Sequence, residues 1–248
     1  MMNEYVDERV LVANACRVLA VRGLVDDILG HVSLRVDDDT VLVRARGPQE
    51  RGLRFTTADD ILAVPLVGSV ELAGGYRAPN ELPLHLELLR RSPSARSVVH
   101  AHPPAVVAFS LTGRTLLPIV GAFNIPALRM ARDGIPVHPS SALIRNHARA
   151  AAMADDFGVR PVGILRGHGL TAVGESVPQA VIRAINVDSL ARVHLAVLQA
   201  GAEPTPIDDD DLVDLPDLGD AFNDGHLWRF LLQELAEQRL LLDSSNHR

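Results

Sequence analysis

The sequence predicts an α/β fold in which one sheet is covered by helices on its faces. Some stretches repeat apolar residues at helical spacing while others alternate apolar with polar, and the two kinds interleave along the chain. Glycines and clustered aspartates mark the boundaries between them. No linker-like segment interrupts the chain before residue 200, and 248 residues suffice for one sizeable core.

Residues 6–22 have helical spacing and Gly23 follows as a stop. Residues 30–36 and 39–46 alternate around Asp37-Asp38-Asp39, which predicts a β-hairpin. Residues 60–75 suggest further strands ending at the turn Gly74-Gly75. Residues 81–92 read as a helix that tolerates Pro83 because it falls in the first turn. A short strand over 94–102 precedes a helix over 103–113 that ends at Gly113. Residues 143–158 predict a helix closed by Gly158, and 162–174 a strand, a glycine turn and a second strand. A long amphipathic helix covers 177–201. The acidic run 207–217 reads as a solvated loop before a last helix over 226–241. The expected organisation is therefore a domain over 1–205 and an appendage over 206–248, packed on that domain or on a neighbouring subunit.

Composition narrows the function. With 47% hydrophobic and 22% charged residues the chain has the profile of a globular protein. A net charge of -7 without a lysine/arginine block argues against nucleic acid as a partner. No apolar run is long enough to span a bilayer, and the acidic N-terminus lacks the basic start and apolar core of a signal peptide, so a cytoplasmic location is expected. The single cysteine, Cys16, lies within an apolar helical pattern and reads as a buried structural thiol.

Chemistry points to the histidines, of which there are ten. In Ser97-Val98-Val99-His100-Ala101-His102-Pro103-Pro104, strand alternation turns His100 and His102 to one face, and the two prolines end regular pairing just beyond. The pair reads either as two metal ligands or as two satisfied polar histidines. His168 is the best candidate for a third ligand, because Gly167 and Gly169 leave room for close approach to the backbone. Three neutral imidazoles with an open position are the ligand set of a catalytic rather than a structural zinc site. His85 lies one helical turn after Glu81 and reads equally as a site residue or a structural partner; His138, His147 and His194 read as surface or interface residues.

Residues 80–110, with the HxH pair, and Ile164-Leu165-Arg166-Gly167-His168-Gly169-Leu170 resemble the class II aldolase and adducin head-domain family, and the likeness covers roughly residues 7–200. The resemblance implies a single-domain class II aldolase-like fold with a central, mostly antiparallel sheet flanked by helices on both faces. It also implies one divalent metal per subunit on His100, His102 and His168, with Glu81 at the catalytic centre, and a homotetramer with active sites at subunit interfaces. On physical grounds Glu81 would deliver or remove a proton; the plain alternative is a helix-start carboxylate favoured by the macrodipole. The metal's identity stays open: zinc suits imidazole best, and manganese, cobalt, nickel and iron also accept it.

The chain departs from the family's sugar-phosphate members where those carry Gly-Asn, Ser-Gly and Ser-Ser-Glu segments. Gly30-His31, Arg46-Gly47 and Asn80-Glu81 stand at those places, with Ser33 in the first of the loops. An arginine fork suits a carboxylate, and His31 can donate a hydrogen bond or shuttle a proton. Arg44 and Arg46 share a face if their strand continues, so either could grip a small anionic substrate; the alternative is that the arginines are solvated. Members of the family resembling this pattern decarboxylate dihydroxylated aromatic acids such as dihydroxyphthalate. The expected function is a metal-dependent lyase in aromatic compound catabolism; the alternative is an aldolase or epimerase acting on a sugar or sugar phosphate. A binding module that had lost catalysis would not need three ligands and a proton-transfer carboxylate.

Overall fold

The computed structural model describes residues 4–219 and 221–243; His247 and the outermost residues of the expected 1–205 and 206–248 segments lie outside them. Among the described residues seven strands form one sheet: β1 (His31–Arg35), β2 (Thr40–Arg44), β3 (Ile61–Pro65), β4 (Ser97–Ala101), β5 (Val137–His138), β6 (Val162–Leu165) and β7 (Gly169–Gly174). Their order is β3-β2-β1-β4-β7-β6-β5, antiparallel throughout except for the β5–β6 pair. The β1–β2 hairpin closes on Asp37, whose Oδ1 accepts the Asp39 and Thr40 N–H groups at 2.9 and 2.8 Å.

Strand alternation splits the interior in two. Val32, Leu34, Leu42, Val99, Ala101, Leu170 and Ala172 face α1 (Val6–Val21), α3 (Pro104–Ser110), α4 (Ile125–Asp133) and α6 (Val177–Gln199). Val41, Val43, Val64, Val98 and Leu165 face α2 (Leu82–Arg91) and α5 (His147–Phe157). Each helix covers apolar strand surface that water would otherwise wet, which is the main driving force for this layering.

The chain after residue 200 holds a short α7 (Asp209–Val213) and α8 (Leu227–Glu237). α8 buries Trp228, Leu231 and Leu235 in the same cluster as α1, while Phe230 is exposed. The segment after it is tied to α1, where Asn14 donates to Leu242 O at 3.1 Å and accepts from Leu242 N at 2.9 Å, and Arg17 donates to Leu240 O at 2.5 Å.

Several elements differ from the sequence reading. After β3 the stretch to residue 80 is turns and loop rather than strand, apart from one bridge between Arg46 and Arg77. α7 occupies part of the acidic run, with three aspartates in its first turn where the helix dipole favours them. α4 and the two-residue β5 had no counterpart in the reading, although Asn124 accepting from Ala127 N, Pro126 in the first turn and Gly134 beyond the end are ordinary helix boundaries. His138 is buried and bonded to Asp156 at 2.6 Å, and His194 is buried against the Leu117 backbone at 3.0 Å. Both are structural rather than surface groups. Cys16 is fully buried, which pushes its thiol pKa up to about 12. No helix among the described residues is long and apolar enough to cross a membrane.

Candidate active site

Sheet register assembles the site. His31 on β1, His100 on β4 and Thr171 on β7 are Cα partners in one row across three strands, with side chains on the α2 face. The next row holds Ser33, Val98 and Val173. His102 lies one residue past the end of β4, and the prolines after it begin α3.

His168 comes from the β6–β7 turn. Gly167 there adopts φ 64°, a left-handed conformation that L side chains rarely take. At Gly169 a Cβ would stand 2.3 Å from Ala101 O and 2.8 Å from the His102 ring, so only glycine lets β7 approach β4 this closely. Gly167 thus supplies the left-handed turn and Gly169 makes room for the backbone and the neighbouring imidazole, and this close approach carries His168 to the other two.

The three imidazoles meet one carboxylate. His100 Nε2 and His102 Nε2 are 3.0 Å apart, and Glu81 Oε2 lies 3.3 Å from His100 Nε2 and 3.4 Å from His168 Nε2. One donor atom from each of these four residues falls within 4.8 Å of all the others. Glu81 immediately precedes α2, and its other oxygen, Oε1, accepts the Ile144 N–H at 2.8 Å. Outside the cluster, Thr171 Oγ1 lies 3.2 Å from His100 Nδ1 and orients that ring.

Electrostatics suit a cation. Burial pushes the His102 pKa down to about 3, and His100 and His168 push the same way, so the ring is a neutral lone-pair donor. Burial works to raise the Glu81 pKa, but the imidazoles of His100 and His168 and the Ile144 N–H hold it well below the usual carboxylate range. Although His168 Nε2 lies 3.4 Å from Glu81 Oε2, neither of its enclosed ring nitrogens has an aligned hydrogen-bond partner among the described residues. Enclosed polar atoms of this kind are rare and call for an explanation. One divalent cation among three imidazoles and a carboxylate would supply it, so the donor set fits a metal.

The other candidates fall into two groups. His31 joins the cluster, stacked on His100 with centroids 5.1 Å apart, and reaches His85 Nε2 through its Nδ1 at 2.8 Å. Ser33 is fully buried with its hydroxyl 2.7 Å from His85 Nδ1, so it meets a histidine rather than open space. Gly30 sits directly before His31, where a Cβ would meet His100 O at 3.2 Å. Asn80 is exposed on the rim beside Glu81.

Arg44 is not brought to the cluster. It alternates with Val43 and so lies on the α1 face, 4% exposed and ion-paired with Glu50, which also takes the Gly52 N–H at 2.6 Å. Arg46 is half-buried beyond the end of β2, its backbone bonded to Arg77 at 2.8 and 2.9 Å; its guanidinium has no ion pair among the described residues. Gly47 packs against the Tyr76 ring, 2.8 Å from where a Cβ would be. His85, which the sequence left undecided, and Thr171, which it did not single out, both belong to the site. Spacing four residues from Glu81 hinted at His85, whereas Thr171 depends on long-range register. A groove of about 470 Å³ lined by Phe123, Ile125, Ile182, Asn186, Phe222 and Leu227 shares no residue with the cluster.

The Class II Aldolase and Adducin N-terminal domain family matches residues 10–195. The chain is 54% identical to a 3,4-dihydroxyphthalate decarboxylase of Arthrobacter keyseri, over 92% of this chain and 94% of the relative. It is 53% identical to a 3,4-dihydroxyphthalate decarboxylase of Terrabacter sp. (strain DBF63), over 92% and 97%. In fold it is similar to the crystal structure of an aldolase II superfamily protein from Pseudomonas syringae, with a TM-score of 0.80, 21% identity and 96% of each chain covered.

Proposed function

The chain belongs to the class II aldolase and adducin family, and from that premise we propose that it is a divalent-metal-dependent carbon–carbon lyase that decarboxylates a hydroxylated aromatic acid of the 3,4-dihydroxyphthalate type. One observation carries the reading: three imidazoles and a carboxylate converge in a chain that is 54% identical over 232 residues to a decarboxylase of that acid.

His100, His102 and His168 would hold one metal ion per chain, zinc in our reading, with manganese, cobalt, nickel or iron as the other cations that imidazole accepts. When bound, the ion supplies Lewis-acid stabilisation of negative charge on an oxygen beside the breaking bond. Glu81, kept ionised, takes the phenolic proton of the bound substrate through Oε2 and returns it to the ring carbon that bears the departing carboxylate. The C–C bond then breaks, its electron pair restores the aromatic ring, and carbon dioxide leaves. Water resupplies the phenolic proton, so each turnover consumes one proton.

His31 faces the same space, and Asn80 stands at its rim. Arg46 is our candidate for the carboxylate that stays on the ring. Ser33 and Arg44 drop out of direct substrate contact because His85 and Glu50 already occupy them. Gly30 and Gly47 shape the walls. We further propose a homotetramer with active sites at subunit boundaries, a cytoplasmic location, and a place in the breakdown of aromatic compounds. The division into a 1–205 domain and a 206–248 appendage belongs to the same proposal, as does an anionic small molecule, not nucleic acid or membrane, as the partner.

The test is carbon dioxide release by the metal-loaded protein from 3,4-dihydroxyphthalate and from the analogue lacking the second carboxylate. We expect faster release from the diacid. Truncation Arg46→Ala should cost about 1.5–3 kcal/mol, roughly tenfold to over a hundredfold in kcat/KM. Rapid cleavage of a ketose phosphate, with no carbon dioxide from either aromatic acid, would return the protein to the aldolase reading.

A further inference from the structure

We infer that Ser33 and His85 are positioning residues that hold His31 as a neutral hydrogen-bond donor, with its Nε2–H turned toward a substrate oxygen beside the metal cluster. The inference rests on the lyase reading above and concerns how the site meets charge that develops on its substrate.

A buried chain of hydrogen bonds runs from Ser33 through His85 to His31. Ser33 is 0% exposed, and among the described residues its hydroxyl has one partner, His85 Nδ1 at 2.7 Å. A buried O–H without an acceptor is costly, whereas an unused oxygen lone pair is cheap. The hydroxyl therefore donates and Nδ1 accepts. His85 is itself 0% exposed, and burial pushes its pKa down to about 3, so the neutral ring carries its one proton on Nε2.

That proton points at His31. His85 Nε2 and His31 Nδ1 are 2.8 Å apart, which leaves room for one hydrogen between them, and His85 supplies it. His31 Nδ1 must then be bare. A ring whose Nδ1 accepts a hydrogen bond cannot be the doubly protonated cation, so this ring is neutral too and its proton sits on Nε2. Nε2 has no protein partner among the described residues, and the ring is stacked on His100. Ser97 Oγ donates to Ser33 O at 2.8 Å and fixes the strand that carries both Ser33 and His31.

A neutral imidazole N–H is a poor acid and keeps its proton. It can still donate to an oxyanion, which stabilises a charge-developing transition state without needing a second charge in the site. Of the two roles open to His31 in the sequence, hydrogen-bond donor and proton shuttle, the chain selects the donor. Proton transfer is left to Glu81.

Two measurements test this on the zinc-loaded protein. Neutron diffraction from deuterium-exchanged crystals should place deuterium on His31 Nε2 and on His85 Nε2, with both Nδ1 atoms bare. Deuterium on His31 Nδ1 would overturn the inference. In the second, Ser33→Ala should lower kcat on the aromatic acid by about tenfold while KM stays within about twofold, as for a group acting on the transition state. Ser33→Thr keeps the hydroxyl and should restore most of that loss. His85→Gln can accept from Ser33 and donate to His31, and should keep at least about tenfold more kcat than His85→Leu. Zinc content should be the same in all four variants. An unchanged kcat in Ser33→Ala, or no advantage of threonine over alanine and of glutamine over leucine, would also overturn it. The neutron result needs no substrate, so it decides the positioning claim even if the protein decarboxylates nothing and the lyase reading falls.

Discussion

At the end of the sheet where β1 begins and β2 ends, the two faces carry buried polar groups of opposite kinds. On the α1 face Arg44 is bound to Glu50, and Arg17 is spent on the Thr56 and Leu240 carbonyls. On the α2 face His31, His85, His100, His102 and His168 gather around Glu81, and among the described residues His168 keeps two enclosed nitrogens without an aligned hydrogen bond. Unpartnered atoms alone do not separate the faces, because Arg44 Nε and Glu50 Oε2 also lack partners. The difference lies in charge and direction. The α1-face pair is neutral as a unit, whereas His100, His102, His168 and Glu81 on the α2 face bring lone-pair donors to one point. A buried polar cluster reads as a site when it is incomplete in the same direction from several elements.

Removing Arg44 should sharpen this contrast most strongly in stability. Arg44→Ala leaves Glu50 without its counter-charge and should cost about 3 kcal/mol or more in chemical denaturation. The metal content of the folded fraction should not change. If it falls, the two faces are coupled and the separation drawn here breaks.

Glu81→Gln probes the opposite face. The amide keeps the shape and loses the proton chemistry, so turnover should drop by roughly 100-fold or more with metal still bound. Loss of the metal in this variant would make Glu81 a ligand rather than an acid–base group. A smaller effect is expected from Thr171→Val, which takes away the partner of His100 Nδ1 at 3.2 Å. Metal affinity, read by competition with a chelator, should weaken about 10-fold to 100-fold.

The smallest effect is expected at the edge of the site. Asn146 caps α5 by accepting from Arg149 N at 3.0 Å, two residues after the Ile144 N–H that holds Glu81. Asn146→Ala should cost about 1 kcal/mol of stability and leave kcat nearly unchanged. A large fall in kcat would show that the loop ahead of α5, and not α2 alone, sets the Glu81 position.

What the sequence made legible was local. The i, i+2 spacing of His100 and His102 and the glycines around His168 depend only on strand alternation and turn chemistry, and both are written in neighbouring residues. The hairpin and the long α6 were readable for the same reason. Register was not readable. Nothing local says that His31, His100 and Thr171 share a row, or that Arg44 turns to the face opposite the histidines, because both follow from pairing between strands far apart in the chain. His85 was visible as a neighbour of Glu81 on the helix, but its role required the Ser33 and His31 contacts. The stretch after β3 was apolar enough to suggest strands, yet among the described residues it makes no strand pairing beyond the bridge at Arg77.

The central claim is that the α2 face holds one divalent cation through His100, His102 and His168. Elemental analysis of purified wild-type protein and His168→Ala tests it most directly. We predict about one divalent cation per chain in the wild type and almost none in the variant, since removing one of three imidazoles opens the site. Equal metal content in the two proteins, with the variant folded, would contradict the claim.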